Sequence, residues 1–378
     1  MEMTIVGGGI AGLSAAIALA RIGIRCRLLE RAAVFCEEGA GLQLGPNGVR
    51  ALERLGLWPT LETHCFSPPC LRIMDAISGE PIRSFAFASF RTRFGAPYRV
   101  IHRRDLLKSL LDAARAVESI ELLTSHEVTG LTWNDDEPVL LLGTKKLPAS
   151  AVIGADGLNS VIRRNLLGDG APHRHPHVIY RALIPRVTVP HLPSDVVLWL
   201  CPGGHVVHYP VSGGREMNIV AITDKAPEIA AEQSCSAAEV SACFEPMSPD
   251  LRYVLGLASS WRRWVASDRP PAAIWGRGKT TLMGDAAHPM LPTLAQGAVA
   301  ALEDAVLLAD SLATGGDVAA AFRRYEYRRR TRVSRLQKAS RAQSTLYHLD
   351  GWPRALRNIA LRHMPESWFF SRINWIYV

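Results

Sequence analysis

The chain has 378 residues, 48% hydrophobic and 21% charged. That balance suits a globular protein of two or three domains and excludes a disordered, collagenous or coiled-coil chain. Seven cysteines without a Cys-x-x-Cys pair exclude a disulfide scaffold and a zinc ribbon, so no metal is expected; they read as free thiols in a reducing compartment. The formal charge of +8 sits in one stretch, 323–341, where eight arginines and Lys338 face one acid, Glu326. A basic chain invites a nucleic-acid reading. No zinc-finger or RNA-recognition signature accompanies it, so the stretch reads as a solvated arginine-rich helix and no nucleic-acid partner is expected.

Residues 3–20 carry no charge, and a run of roughly 18 such residues resembles a membrane span. Four are glycine (7, 8, 9 and 12), and Glu2 rather than a basic region precedes them. A strand, a glycine turn and a helix explain the run better. With no other candidate span, a cytoplasmic protein without a membrane partner is expected.

Residues 3–6 form a short apolar run, as a buried strand would. It enters Gly7-Gly8-Gly9-Ile10-Ala11-Gly12, which fits G-x-G-x-x-G. An alanine-rich helix follows over 13–22 and ends at Gly23. Residues 25–30 are the second strand, completing a βαβ unit. Texture changes at 178–223: apolar runs at 196–200, 205–211 and 217–223 are separated by Gly-containing turns at 201–204 and 212–214. Short strands at this spacing pair antiparallel. Residues 279–283 return to a buried strand and lead into a helix over 297–313. The tail 318–378 reads as helices, with the aromatic residues at 368–370 and 375 packing it onto the body. The predicted fold class is α/β, a Rossmann-like domain with an inserted antiparallel-sheet domain and a helical C-terminal segment. The expected division is 1–70, 98–175 and 272–320 for the first domain, 71–97 and 176–271 for the second, and 321–378 for the tail.

The glycine fingerprint carries the first chemical signal. Gly7 allows the tight turn, Gly9 lets backbone approach a pyrophosphate, and Gly12 lets the helix sit close to the strand. Glu30 follows Gly12 at the spacing of a ribose-binding acid. Two further motifs each set an aspartate after a strand: Gly154-Ala155-Asp156-Gly157-Leu158-Asn159-Ser160 with Arg163, and Gly284-Asp285-Ala286-Ala287-His288-Pro289 with Pro292 and Gln296-Gly297.

Together with GAGLQLGPNG at 39–48, HRRDL at 102–106 and HVVHYP at 205–210, these motifs resemble the single-component FAD-dependent aromatic hydroxylases of the p-hydroxybenzoate hydroxylase fold. The likeness covers nearly the whole chain. It points to the branch with 3-hydroxybenzoate 6-hydroxylase, salicylate hydroxylase and 6-hydroxynicotinate 3-monooxygenase. The resemblance implies FAD on Gly7, Gly9, Ala11 and Gly12, with Glu30 at the adenosine ribose and Arg31, Gly41 and Arg103 also at the cofactor. It implies Asp156 at FAD and nicotinamide, Asp285 at the ribityl or pyrophosphate, and Pro292, Gln296, Gly297 and Ala298 along the isoalloxazine. NADH or NADPH visits transiently as co-substrate, and dimers occur in the family. The chemistry implied is hydroxylation of a small aromatic substrate by O₂ through a flavin C4a-hydroperoxide, which needs an electron-rich ring, a base at the phenol and exclusion of water.

Strand alternation puts His205, Val207 and Tyr209 on one face and His208 on the other. The resemblance selects the same pair, so His205 is assigned as base and Tyr209 as the residue that orients substrate. Gln43 and Pro292 complete the expected substrate contacts, and Gln43 leans towards a benzenoid ring. His208 and His288 read as structural, and Cys36 and Cys201 as packing. The reading is a phenolic-acid hydroxylase of the salicylate or 3-hydroxybenzoate type. The alternatives are a hydroxypyridine or natural-product aromatic as substrate, a flavin reductase or dehydrogenase, and a non-catalytic flavin-binding protein.

Overall fold

The computed structural model describes residues 2–35, 40–226 and 232–378; Cys36 and Gly39 lie outside them. Strand β1 (Glu2–Val6), helix α1 (Ile10–Ala20) and strand β2 (Arg25–Leu29) form the N-terminal unit, with β1 and β2 parallel. The helix starts earlier than its alanine run suggests, because Gly9 already serves as its N-cap. Nine of its residues, among them Leu13, Ala16 and Leu19, are buried, so small side chains let it lie between layers rather than on the surface.

Strand β3 (Gly41–Leu44) pairs antiparallel with β4 (Arg99–His102), and β5 (Val152–Gly154) lies parallel beside β1. The long strand β6 (His173–Pro185) opens a second sheet with β7 (Val196–Cys201), β8 (Gly204–Val211), β9 (Glu216–Thr223) and β10 (Trp261–Asp268). The chain then returns to the first sheet at β11 (Thr280–Leu282), parallel to β5. Among the described residues the first sheet runs Gly276–Arg277, β11, β5, β1, β2, Ile120–Leu123, and the second runs Gln233–Cys235, β10, β6, β9, β8, β7, Cys70–Asp75, Pro81–Ala86. The three runs read as an antiparallel meander are β7, β8 and β9, paired in that order.

Four helices complete the chain: α2 (Gly297–Ala313), which packs on α1, then α3 (Val318–Tyr347), α4 (Gly351–His363) and α5 (Glu366–Tyr377). Helix α3 departs from a solvated arginine helix. Arg329 is 1% exposed and bonds Asp304 and Glu303. Arg332 bonds Glu303 and the carbonyls of Trp375 and Ile376, and Arg341 bonds Asp268. These arginines fasten the helix to α2, α5 and the large sheet, because long side chains with rigid donor forks can reach several carbonyls at once. In α5, Phe369 stacks on Phe85 with centroids 3.5 Å apart, and Phe370 is buried. Trp368 differs from expectation: it stays half exposed under the Arg372 guanidinium.

Candidate active site

A cavity of about 390 Å³ opens at the carboxyl ends of β1 and β2, between the amino ends of α1 and α2. Gly7 has φ +107°, and a Cβ there would stand 2.4 Å from the Ala155 oxygen; a Cβ on Gly12 would stand 1.9 Å from the Gly7 oxygen. Only glycine permits this fold-back of helix onto turn. Neither α1 nor α2 has a side-chain cap or an acid in its first turn. Their leading N–H groups and positive dipole ends are therefore left for an anion.

Gly7, Gly9, Ala11, Glu30, Arg31, Arg103, Asp156, Asp285, Gly297 and Ala298 all line this cavity. Glu30 is fixed at the end of β2 by the N–H groups of Gly8 (2.7 Å) and Ala32 (2.8 Å), which both donate to its carboxylate. Asp156 takes part in local structure: it accepts from Ser160 Oγ at 2.5 Å and from Val161 N at 2.7 Å, starting the next helix. Burial pushes its carboxyl up despite these bonds. Pro292 and Gln296 stand outside the cavity wall. Gln296 is 2% exposed, and its oxygen accepts from Asn47 Nδ2 at 3.0 Å, so its amide holds two segments together. His288 is likewise structural in placement, 2.6 Å from Asp304.

The large sheet offers a second surface. Its registers set three rows across β6, β9 and β8: Leu183, Asn218 and Tyr209; then Arg181, Val220 and Val207; then Ile179, Ile222 and His205. Val207 is the one residue of β8 that is not buried, and Arg181 is half-buried. The middle row is therefore the least covered stretch of this face and its candidate hollow. His205 and Tyr209 stand at its two ends, about 13 Å apart along the strand at roughly 3.3 Å per residue.

At the Tyr209 end, the Tyr98 hydroxyl donates to Gln43 Oε1 at 2.5 Å, and Gly41 N donates to Asn218 Oδ1 at 2.8 Å. Burial pushes the Tyr209 hydroxyl up, only partly offset by Arg181 and Gln43, so it remains a neutral donor. Gly41 belongs to this end and not to the cofactor cavity wall: a Cβ on it would meet the Tyr209 ring at 2.6 Å. At the other end, His205 is 3% exposed and its Nδ1 lies 3.0 Å from Nε2 of His348. Burial, then the neighbouring His348 and His177, hold His205 well below the usual histidine range. His208 faces the opposite side and is 1% exposed. Cys201 is fully buried, and burial pushes its thiol up, as packing requires.

Sequence reasoning assigned no role to four of these residues. Asn218 follows from alternation once β8 and β9 are registered. Tyr98, Arg181 and His348 carry no local signal, because distant segments bring them to the hollow.

The family described as "FAD binding domain" matches residues 1–340. The chain belongs to it. A 3-hydroxybenzoate 6-hydroxylase of Klebsiella oxytoca is 39% identical over 100% of this chain and 96% of its own length. Klebsiella pneumoniae HpxO, solved with FAD and uric acid, superposes with a TM-score of 0.89 at 25% identity, covering 100% and 97% of the two chains. A salicylate hydroxylase substrate complex gives 0.84 at 25% identity, covering 100% and 95%. The protein is thus an FAD-dependent aromatic-ring monooxygenase, and the α/β fold matches. FAD fits the cavity on its own chemistry: two uncapped helix ends suit the pyrophosphate, and a carboxylate at the end of β2 suits a ribose. Gly7, Gly9 and Gly12 would hold the pyrophosphate, Glu30 the ribose, and Asp285 with Gly297 the segment near α2. No helix among the described residues is long and apolar enough to cross a membrane.

Proposed function

We propose that this monooxygenase uses NADH or NADPH and O₂ to hydroxylate a small phenolic acid of the 3-hydroxybenzoate or salicylate type, ortho or para to its hydroxyl. The observation that carries the reading is the row of Arg181, Val220 and Val207, which lies between a histidine and a tyrosine on one face of the sheet. When bound, FAD supplies the reducing and oxygen-transferring chemistry. The protein's own part is position and protonation. His205 Nδ1 is held by His348, which leaves Nε2 as the atom that takes the phenol proton. Tyr209 and Gln43 orient the ring at the far end. Arg181, in the middle row and stacked on Trp264 at 4.6 Å, adds positive charge that favours phenolate and carboxylate. The C-terminal helices close the hollow against water.

In this reading 1–70, 98–175 and 272–320 hold the flavin, 71–97 and 176–271 carry the substrate, and 321–378 seals the site. A cytoplasmic homodimer accompanies it; the six described cysteines are unpaired, as in a reducing compartment. The test is oxidation of NADH and NADPH by the flavin-loaded protein with salicylate, 3-hydroxybenzoate, 4-hydroxybenzoate and 6-hydroxynicotinate, scoring H₂O₂ in parallel. Strong stimulation by one of the first two with little H₂O₂ supports the reading. Coupled turnover of the pyridine alone would replace the substrate class, and mostly H₂O₂ with every compound would point to a larger ring.

A further inference from the structure

His205 is not the end of its chain of contacts. Its Nδ1 meets Nε2 of His348, the residue directly after α3, and His348 Nδ1 faces Asp224 Oδ2 at 3.9 Å. His348 is 5% exposed and its Nδ1 is buried without a hydrogen-bond partner, whereas Asp224 is 38% exposed. Exposure rises along the three groups, from 3% at His205 through 5% at His348 to 38% at Asp224. We propose that His348 and Asp224 form the proton exit of the site, a relay that carries the phenol proton from His205 to bulk water. This rests on His205 as the base.

The steps balance. The phenol O–H breaks as N–H forms at His205 Nε2. The His205 Nδ1–H breaks as N–H forms at His348 Nε2. The His348 Nδ1–H breaks as an O–H forms at Asp224 once that exposed side chain closes the 3.9 Å gap, and the Asp224 O–H then gives its proton to water. Both imidazoles end neutral in their other tautomers, and the path run backwards returns a proton to the product oxygen and resets them. Two arguments favour such an exit beside the contacts themselves. A hollow that must stay dry offers no water to take the proton. The burial that depresses His205 also pushes His348 down to about 3, with His177 and Arg357 adding to it, so neither ring can store the charge. The groups facing the pair bias the direction. His177 packs on His348 with centroids 4.9 Å apart, and Arg357 donates to the Tyr347 carbonyl at 2.8 Å. Asp224 is the carboxylate facing the pair among the described residues.

The test separates relaying from orienting. His348→Gln keeps an oxygen that can accept from His205 Nδ1–H but cannot pass a proton on; His348→Phe removes both functions. The FAD-loaded proteins are mixed anaerobically with 3-hydroxybenzoate, and phenolate absorbance and proton release to an indicator dye are followed across pH 6–9. The relay predicts that Gln and Phe slow phenolate formation alike, roughly 10–100-fold, with the loss shrinking as hydroxide rises and with flavin content unchanged. Asp224→Asn, at a side chain 38% exposed, slows proton release about 3–10-fold with flavin content unchanged. A Gln variant at the wild-type rate overturns the relay and leaves His348 as a positioning residue; an unchanged Asp224→Asn rate overturns the exit. Wild-type protein that leaves the phenol un-ionised, or a fully active His205→Ala, overturns the base assignment itself.

Discussion

Asp304 of α2 and Arg329 of α3 meet at 2.6 Å, Oδ1 to Nε, with 0% and 1% of their side chains exposed. Asp304 also accepts from Gly284 N at 2.9 Å and lies 2.6 Å from His288 Nε2. One buried carboxylate thus ties the arginine-rich helix to the turn that carries Asp285. Burial alone would raise that carboxyl, but the His288 and Arg329 charges hold it below the usual range.

Removing one partner of such a pair strands the other. Arg329→Met should cost about 3–5 kcal/mol and release flavin, because the Gly284–Ala286 turn loses its anchor. Thermal unfolding together with the flavin-to-protein absorbance ratio checks this. A variant that melts like wild type would mean the pair contributes nothing net.

The fold-back at Gly12 predicts a different failure. A methyl at that position would lie 1.9 Å from the Gly7 oxygen, with the Ile5 side chain at 3.3 Å behind it. Gly12→Ala should therefore push α1 away from the turn, and the purified protein should be colourless with intact helix content by circular dichroism. Gly168→Ala, where a Cβ meets nothing within 4 Å but φ is +60°, is the control that loses modest stability and keeps its flavin.

His205→Ala should lower hydroxylation by roughly 10²–10⁴-fold with FAD still bound. The loss should fall on the rate of product formation more than on binding of the phenol, because the ring is held mainly by the Tyr209 end. Product analysis alongside NADH consumption checks it, and full coupled activity in the variant removes His205 from the chemistry.

Much of this molecule is legible before folding. The βαβ unit, the meander of β7, β8 and β9 and the helix 297–313 follow from glycine spacing and strand period, since both are local. The pairing of His205 with Tyr209 on one face follows from the same period. The rest depends on contacts across the chain. Arg329 and Arg324 are one residue type in one helix, yet one is buried and the other exposed, and only the position of Glu303 and Asp304 explains that. Gln296 sits in a motif that suggests flavin contact, but Asn47 takes its oxygen. His348 lies 143 residues from His205, and no pattern in the sequence joins them.

Acid should weaken the protein well above the range where carboxylates titrate. Burial, reinforced by Arg186 and opposed by Asp195, pushes His208 down to about 4, against an unfolded value of about 6.5. The folded state therefore binds fewer protons, so this contribution is complete above pH 6.5 and is lost as pH falls towards 4. Its size is on the order of 3 kcal/mol. His205, His348 and His177 are depressed in the same direction and add to the slope. Urea midpoints of the wild type should fall steadily from pH 7 to pH 4. His208→Gln should start lower at pH 7 and fall less, because one proton fewer is taken up on unfolding. Parallel curves for the two proteins would show that His208 titrates alike in both states, and the buried-histidine account of acid lability would fail.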